Sequence, residues 1–128
     1  TKQYLPHHLK NNAPSKIFKM LFDLFTSEYD ITRLDLYLLQ EGIQGNENIN
    51  QKFLERKRNW RKAIAEELEA TFQIKDPIHL SALSTMLLAM IDGLAIQVLV
   101  EPGSVNNDEI ASTLAEMIKL LALAESQE

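Results

Sequence analysis

No cysteine occurs anywhere in the 128 residues, so the chain has no disulfide framework and no thiolate chemistry. Glycine and proline are scarce, four of each. That excludes a turn-rich architecture and favours a few long helices. Aromatic residues are few, and Trp60 is the single tryptophan. The longest unbroken apolar run is Met86–Ile91, because Asp92 follows at once and Gln97 soon after. A membrane span needs about 20 predominantly apolar residues, so none is expected. The opening "TKQYLPHHLKNNAPS" has no signal-peptide core. Three histidines are present. His7 and His8 are adjacent and His79 is distant, which does not match the i, i+4 spacing of two ligands on one helix face. No metal and no cofactor are expected. No Ser-His-Asp set, P-loop or paired-carboxylate motif stands out, so catalysis has no positive support.

What is present is a chain with 45% hydrophobic residues, a net charge of −5 and a pI near 5.2. A packed core is within reach, and the acidic balance argues against a nucleic-acid-binding surface over the whole chain. Five helical segments and no strand emerge, which predicts an all-α helical bundle. Pro14 and Ser15 open the first, with Ser15 as its expected N-cap and Ile17, Leu21, Leu24 and Phe25 at helical spacing. Asp30 is the expected cap of the second, "ITRLDLYLLQEG", with Gly42 as its stop. "GIQGNENIN" reads as a loop. The third helix runs from about Asn50 to Phe72, with Phe53, Trp60, Ile64 and Leu68 as its buried stripe. Asp76 caps the fourth, and Pro77 takes the first helical position, where its missing N–H is harmless. "NNDE" caps the fifth, striped by Ile110, Leu114, Met117 and Leu121.

The fourth helix poses a question. Leu83, Leu87, Met90 and Leu94 share one face, and Ala82, Ala89, Gly93 and Val100 form a small-residue face beside it. Leu88, Ala95, Ile96 and Leu99 lie on the far side with Asp92, so the helix is apolar nearly all round. Such a helix is either deep in a large core or buried on two sides; a bundle of this length has limited interior, so a partner chain is the expected second cover. Gly93, without a Cβ, would let another helix backbone come close, with Asp92 at the edge of the contact; the alternative is a helix broken or kinked at Gly93 with Asp92 simply exposed.

These residues resemble a known family. "ERKRNWRKAIAEELEATF" followed by "KDPIHLSALSTMLLAMIDGLAIQVLVEPG" and a capped last helix is similar to the C-terminal ligand-binding and dimerisation domain of tetracycline-repressor (TetR) family transcription regulators. Ile91-Asp92-Gly93-Leu94 is the strongest element, and the resemblance spans Ser15 to Ala124. Many members carry a glycine before the Asp-Pro turn, and "TFQIKDP" has none. The resemblance implies a cytoplasmic bacterial repressor that dimerises through its last two helices and binds a small molecule within the others. It implies that residues 1–14 are the remnant of a linker to a DNA-reading helix-turn-helix domain, and that 15–128 is the regulatory domain. Operator DNA would then be met only through that N-terminal domain, and no membrane is involved.

Candidate site residues follow. Phe18, Phe22, Phe25 and Tyr29 fall on one stripe of the first helix, and either line an apolar pocket or simply form core. Tyr37, Gln40 and Trp60 are the expected polar handles, with Ile64, Met86 and Met90 completing the apolar walls. The expected effector is therefore small and largely apolar. The expected dimer interface is Ala89, Gly93, Ile96 and Val100 with Leu114, Met117, Ile118 and Leu121. The basic run Lys52, Arg56, Lys57, Arg58, Arg61 and Lys62 reads as a solvated helix face rather than a nucleic-acid patch. The alternative to a ligand sensor is a purely structural helical dimerisation module without a pocket.

Overall fold

Short-range signals decide where the helices begin. The Asn46 side chain accepts from the Ile49 N–H, Asp76 from Ile78 and Asn106 from Glu109, each satisfying a donor that the first helical turn leaves open. The computed structural model describes residues 14–27 and 29–127. Within them are five helices: α1 Pro14–Ser27, α2 Tyr29–Ile43, α3 Glu47–Phe72, α4 Pro77–Val100 and α5 Asn107–Ser126. No described residue is in a strand. The all-α bundle expected from the periodicity is the observed fold. The expected segment 1–14 falls outside the described residues, apart from Pro14.

Several boundaries differ from the expectation, each for a local reason. α1 includes Ser15 and α2 begins at Tyr29, so Ser15 and Asp30 are first-turn residues rather than caps. α3 starts at Glu47, three positions before Asn50, because the Asn46 cap captures the intervening turn. Gly42 does not stop α2, which continues to Ile43. A Cβ at Gly42 would lie 3.3 Å from the Asn50 Cα, so glycine there lets the end of α2 approach the start of α3. The reversal itself falls at Gly45, whose φ of 109° suits glycine. After α3 the left-handed residue is Gln73, φ 61°, at the turn where a glycine is absent. Its N–H still reaches the Glu69 carbonyl.

α1 packs on both α5 and α4, α3 packs on α4 and meets α1 through Phe72 and Phe18, and α2 covers α3. Of the described helices, α4 alone has the length and hydropathy to cross a membrane. On its inner side Leu87 and Ile91 meet Phe18 and Phe22 of α1 as well as Ile64 and Leu68 of α3 around one small gap, while Met86, Ile96 and Val100 stay exposed. Phe22, Leu68, Ile74 and Ile118 are the most deeply buried large side chains. Phe18 stacks on both Phe22 and Phe72.

Two polar contacts tie the bundle ends. Asn107, at the start of α5, donates to Asp23 and Thr26 at the end of α1. At the other end, Glu125 of α5 accepts from the Lys75 and Asp76 backbone N–H groups and pairs with His79 Nδ1 at 2.7 Å. These bonds, the Lys75 N–H first and His79 next, hold the Glu125 carboxyl below its ordinary value of 4.5. A lowered pKa in the folded chain means that the clasp stabilises the fold above pH 4.5 and loses that contribution as pH falls through the lowered value. Glu125→Gln is therefore expected to be less stable than the unaltered chain at pH 7. Chemical unfolding at stepped pH should show the difference vanish in acid; a pH-independent difference would assign it to packing rather than to charge.

Candidate functional site

The candidate site is a cleft bounded by α1, α2, α3 and α4. Its apolar walls are Leu24 and Phe25 of α1, Trp60 of α3, and Leu88 and Ile91 of α4. The volume is about 250 Å³. A smaller space of about 80 Å³ adjoins it, sharing Phe25, Thr32, Lys57, Ile91 and Asp92 and adding Leu36, Leu39, Phe53 and Ile96. Phe25 and Trp60 meet edge to face with ring centroids 5.1 Å apart, a favoured aromatic geometry that fixes both rings.

The polar part is two ion pairs, both anchored on α3. Arg56 bonds Asp35 of α2. Lys57 Nζ donates to both carboxylate oxygens of Asp92 on α4, at 2.9 and 2.8 Å. Arg56 and Lys57 also sit over the same Phe53 ring, 5.5 and 5.0 Å from its centroid. This answers the question of Asp92. It lies in an apolar helix because a lysine 35 positions earlier reaches it across the cleft. In each pair one partner keeps substantial contact with water, Arg56 at 41% and Asp92 at 49% exposure, so that partner can be rehydrated if the pair opens.

The expected site residues divide. Phe25 and Trp60 line the cleft together. Phe22 and Ile64 lie next door in the core, around a gap of about 30 Å³ that is lined almost wholly by apolar side chains. A gap that small accepts no organic ligand. Met90 packs against the core, half-buried. Tyr37 is 58% exposed, Gln40 is exposed, and Met86 is 57% exposed; the structure does not bring these three to the cleft. The Tyr29 side chain falls outside the described residues. Asp35, Arg56, Lys57, Asp92, Leu24, Leu88 and Ile91 were missed. The signal for Lys57 was present: it lies at i+4 from Phe53 and i−3 from Trp60, on the buried stripe. The basic run is thus not one solvated face. Arg56 and Lys57 turn inward to acids, while Lys52, Arg58 and Lys62 are exposed.

The residues expected at a dimer interface also divide. Leu114 and Ile118, 8% and 2% exposed, are taken up by the chain's own core, and Leu121 packs against it. Ile96 borders the smaller space beside the cleft. Ala89 and Val100 stay exposed on α4 with Gly93 half-buried between them, and Met117 is 61% exposed on α5.

A family model for the C-terminal domain of BetI-type transcriptional repressors matches residues 15–123, most of the chain and all five helices. The chain belongs to the BetI-type C-terminal domains of TetR-family regulators. No curated protein and no solved structure is similar enough to the chain to count as a match. Membership makes this a regulatory domain of the effector-binding and dimerising kind. TetR-family regulators are typically cytoplasmic, dimerise, and bind an effector and DNA. The family is one of transcriptional regulators, not of enzymes.

Proposed function

We propose that this domain senses a small, largely apolar molecule in the α1–α4 cleft and works as a homodimer joined through α4 and α5. The observation that carries the reading is the cleft: an apolar chamber floored by Phe25, Trp60, Leu88 and Ile91, with exchangeable ion pairs at its polar edge. The dimer reading is supported by an apolar stripe left open along α4, Met86, Ala89, Gly93 and Val100, and by Met117 and Leu120 on α5. The stripe and the cleft share one turn of α4, since Asp92 lines the cleft and Gly93 follows it on the open face. A ligand that moves α3 against α4 would therefore move the interface, and through it the spacing of DNA-reading heads in an intact repressor. Operator DNA is assigned to such an N-terminal head.

Trp60 lines the cleft and is the single tryptophan, so its fluorescence reports on the site directly. A ligand bound only by the folded form should add about 2.7 kcal/mol of stability at a hundredfold excess over its dissociation constant. Thermal shift with a panel of hydrophobic small molecules, followed by Trp60 titration, is expected to find saturable binders. Phe25→Ala should weaken them about tenfold or more while the chain stays folded. A broad panel without a saturable binder would leave the purely structural dimerisation module.

A further inference from the structure

The two charge pairs at the cleft are unequal in a way that bears on the ligand. Arg56 and Lys57 are neighbours on α3 and share the Phe53 ring, whereas their acids come from separate helices, Asp35 from α2 and Asp92 from α4. The Lys57 side chain is 18% exposed and Asp92 is 49% exposed. The Lys57 side chain is thus the more embedded partner and Asp92 the one nearer water.

We propose that the cleft takes a small carboxylic acid with an apolar body, its carboxylate replacing that of Asp92 on Lys57 Nζ. The inference rests on the ligand-sensing reading above and names the ligand class for the same site. The exchange is of one carboxylate for another, so Lys57 is never left without a counter-charge. Asp92, already half in water, is rehydrated at little cost. An organic cation would instead take Asp92 and leave Lys57, the less exposed side chain of the two, without its counter-charge, which is the less favourable direction. A neutral alcohol leaves the Lys57–Asp92 pair closed and gains only contact with the walls. The size fits this class. Benzene occupies an engineered apolar cavity of about 150 Å³, so a cleft of about 250 Å³ holds one ring, against Phe25, Trp60 and Leu88, with a short acid tail reaching Lys57. Binding would also untie α3 from α4 at Asp92, beside Gly93 on the open face. The ligand's charge is then what releases the link between cleft and interface.

The test uses three matched probes, 4-phenylbutyrate, 4-phenylbutan-1-ol and 4-phenylbutylamine, titrated against Trp60 fluorescence in the unaltered chain. The acid is expected to bind at least tenfold tighter than the alcohol or the amine. Lys57→Met should bring the acid down to the alcohol's affinity. Asp92→Asn, which removes the internal competitor, should tighten the acid several-fold; a residue with a merely structural role would weaken it. This second variant keeps the test decisive should Lys57→Met fold poorly. Equal or tighter binding of alcohol or amine, or an acid affinity that Asp92→Asn lowers, overturns the carboxylate proposal and leaves the sensing reading standing. No binding of any of the three up to millimolar concentration also overturns the carboxylate proposal, and the broad panel alone then decides the sensing reading.

Discussion

Gly93→Leu is expected to give a folded chain that no longer dimerises. A Cβ added at Gly93 would meet nothing within 4 Å inside the protomer, so the substitution creates no internal clash. It should even help the isolated helix, since glycine in a helix interior is about 1 kcal/mol worse than a good helix former. The cost appears only if another backbone packs across that position. Met86, Ala89 and Val100 surround Gly93 on the same open face of α4, and their exposure in the protomer is the surface that a partner would cover. A leucine side chain there holds the two α4 helices apart, and the dimer dissociation constant should rise at least a hundredfold, roughly 2.8 kcal/mol. Size-exclusion chromatography with light scattering, run beside far-UV melting, separates the outcomes. A folded monomer supports the interface. An unchanged dimer moves it to another surface.

Phe22→Ala is expected to remove a large part of the total stability. Phe22 is 1% exposed and stacks with Phe18, which in turn stacks on Phe72, so one deletion opens the junction of α1, α3 and α4. Truncating a buried phenylalanine costs about 3–5 kcal/mol, against a total of about 5–15 kcal/mol for an ordinary domain. For a domain of this size the midpoint should fall on the order of 10–20 °C. Melting should be compared at one protein concentration, because the proposed dimerisation would make the midpoint depend on it. Phe25→Ala, at the cleft wall, should cost clearly less stability and more affinity. The pair of variants therefore separates core from site on one helix. A Phe22→Ala chain within 1 kcal/mol of the unaltered one would mean that the ring is not packed as described.

That separation was not legible in the periodicity. Phe18, Phe22 and Phe25 lie on one stripe, and helical spacing says only that the stripe is covered. Phe22 meets Phe18, Ile64 and Leu68 around a gap of about 30 Å³, while Phe25 meets Trp60 across an open cleft. The same limit applies to α5. Met117 and Ile118 are adjacent and equally apolar, yet one is 61% exposed and the other 2%. Which of them faces the core depends on how α1 lies on α5, and no local signal carries that.

The sequence by itself determined the five helices, the end of α3, both ends of α4, the start of α5, and the family. These rest on interactions within a few residues: an Asn or Asp side chain on a free N–H, a proline at a first turn, an apolar residue every third or fourth position. Tertiary structure alone decided the polar side of the cleft. Asp35 and Arg56 are 21 positions apart, and Lys57 and Asp92 are 35 apart, so each pair exists only after α2, α3 and α4 have packed. In the sequence Arg56 and Lys57 stand in a run of charges, where water is the default partner. Packing beside Phe53 removes part of that water, and an acid from another helix takes its place, since an embedded ammonium must keep a counter-charge.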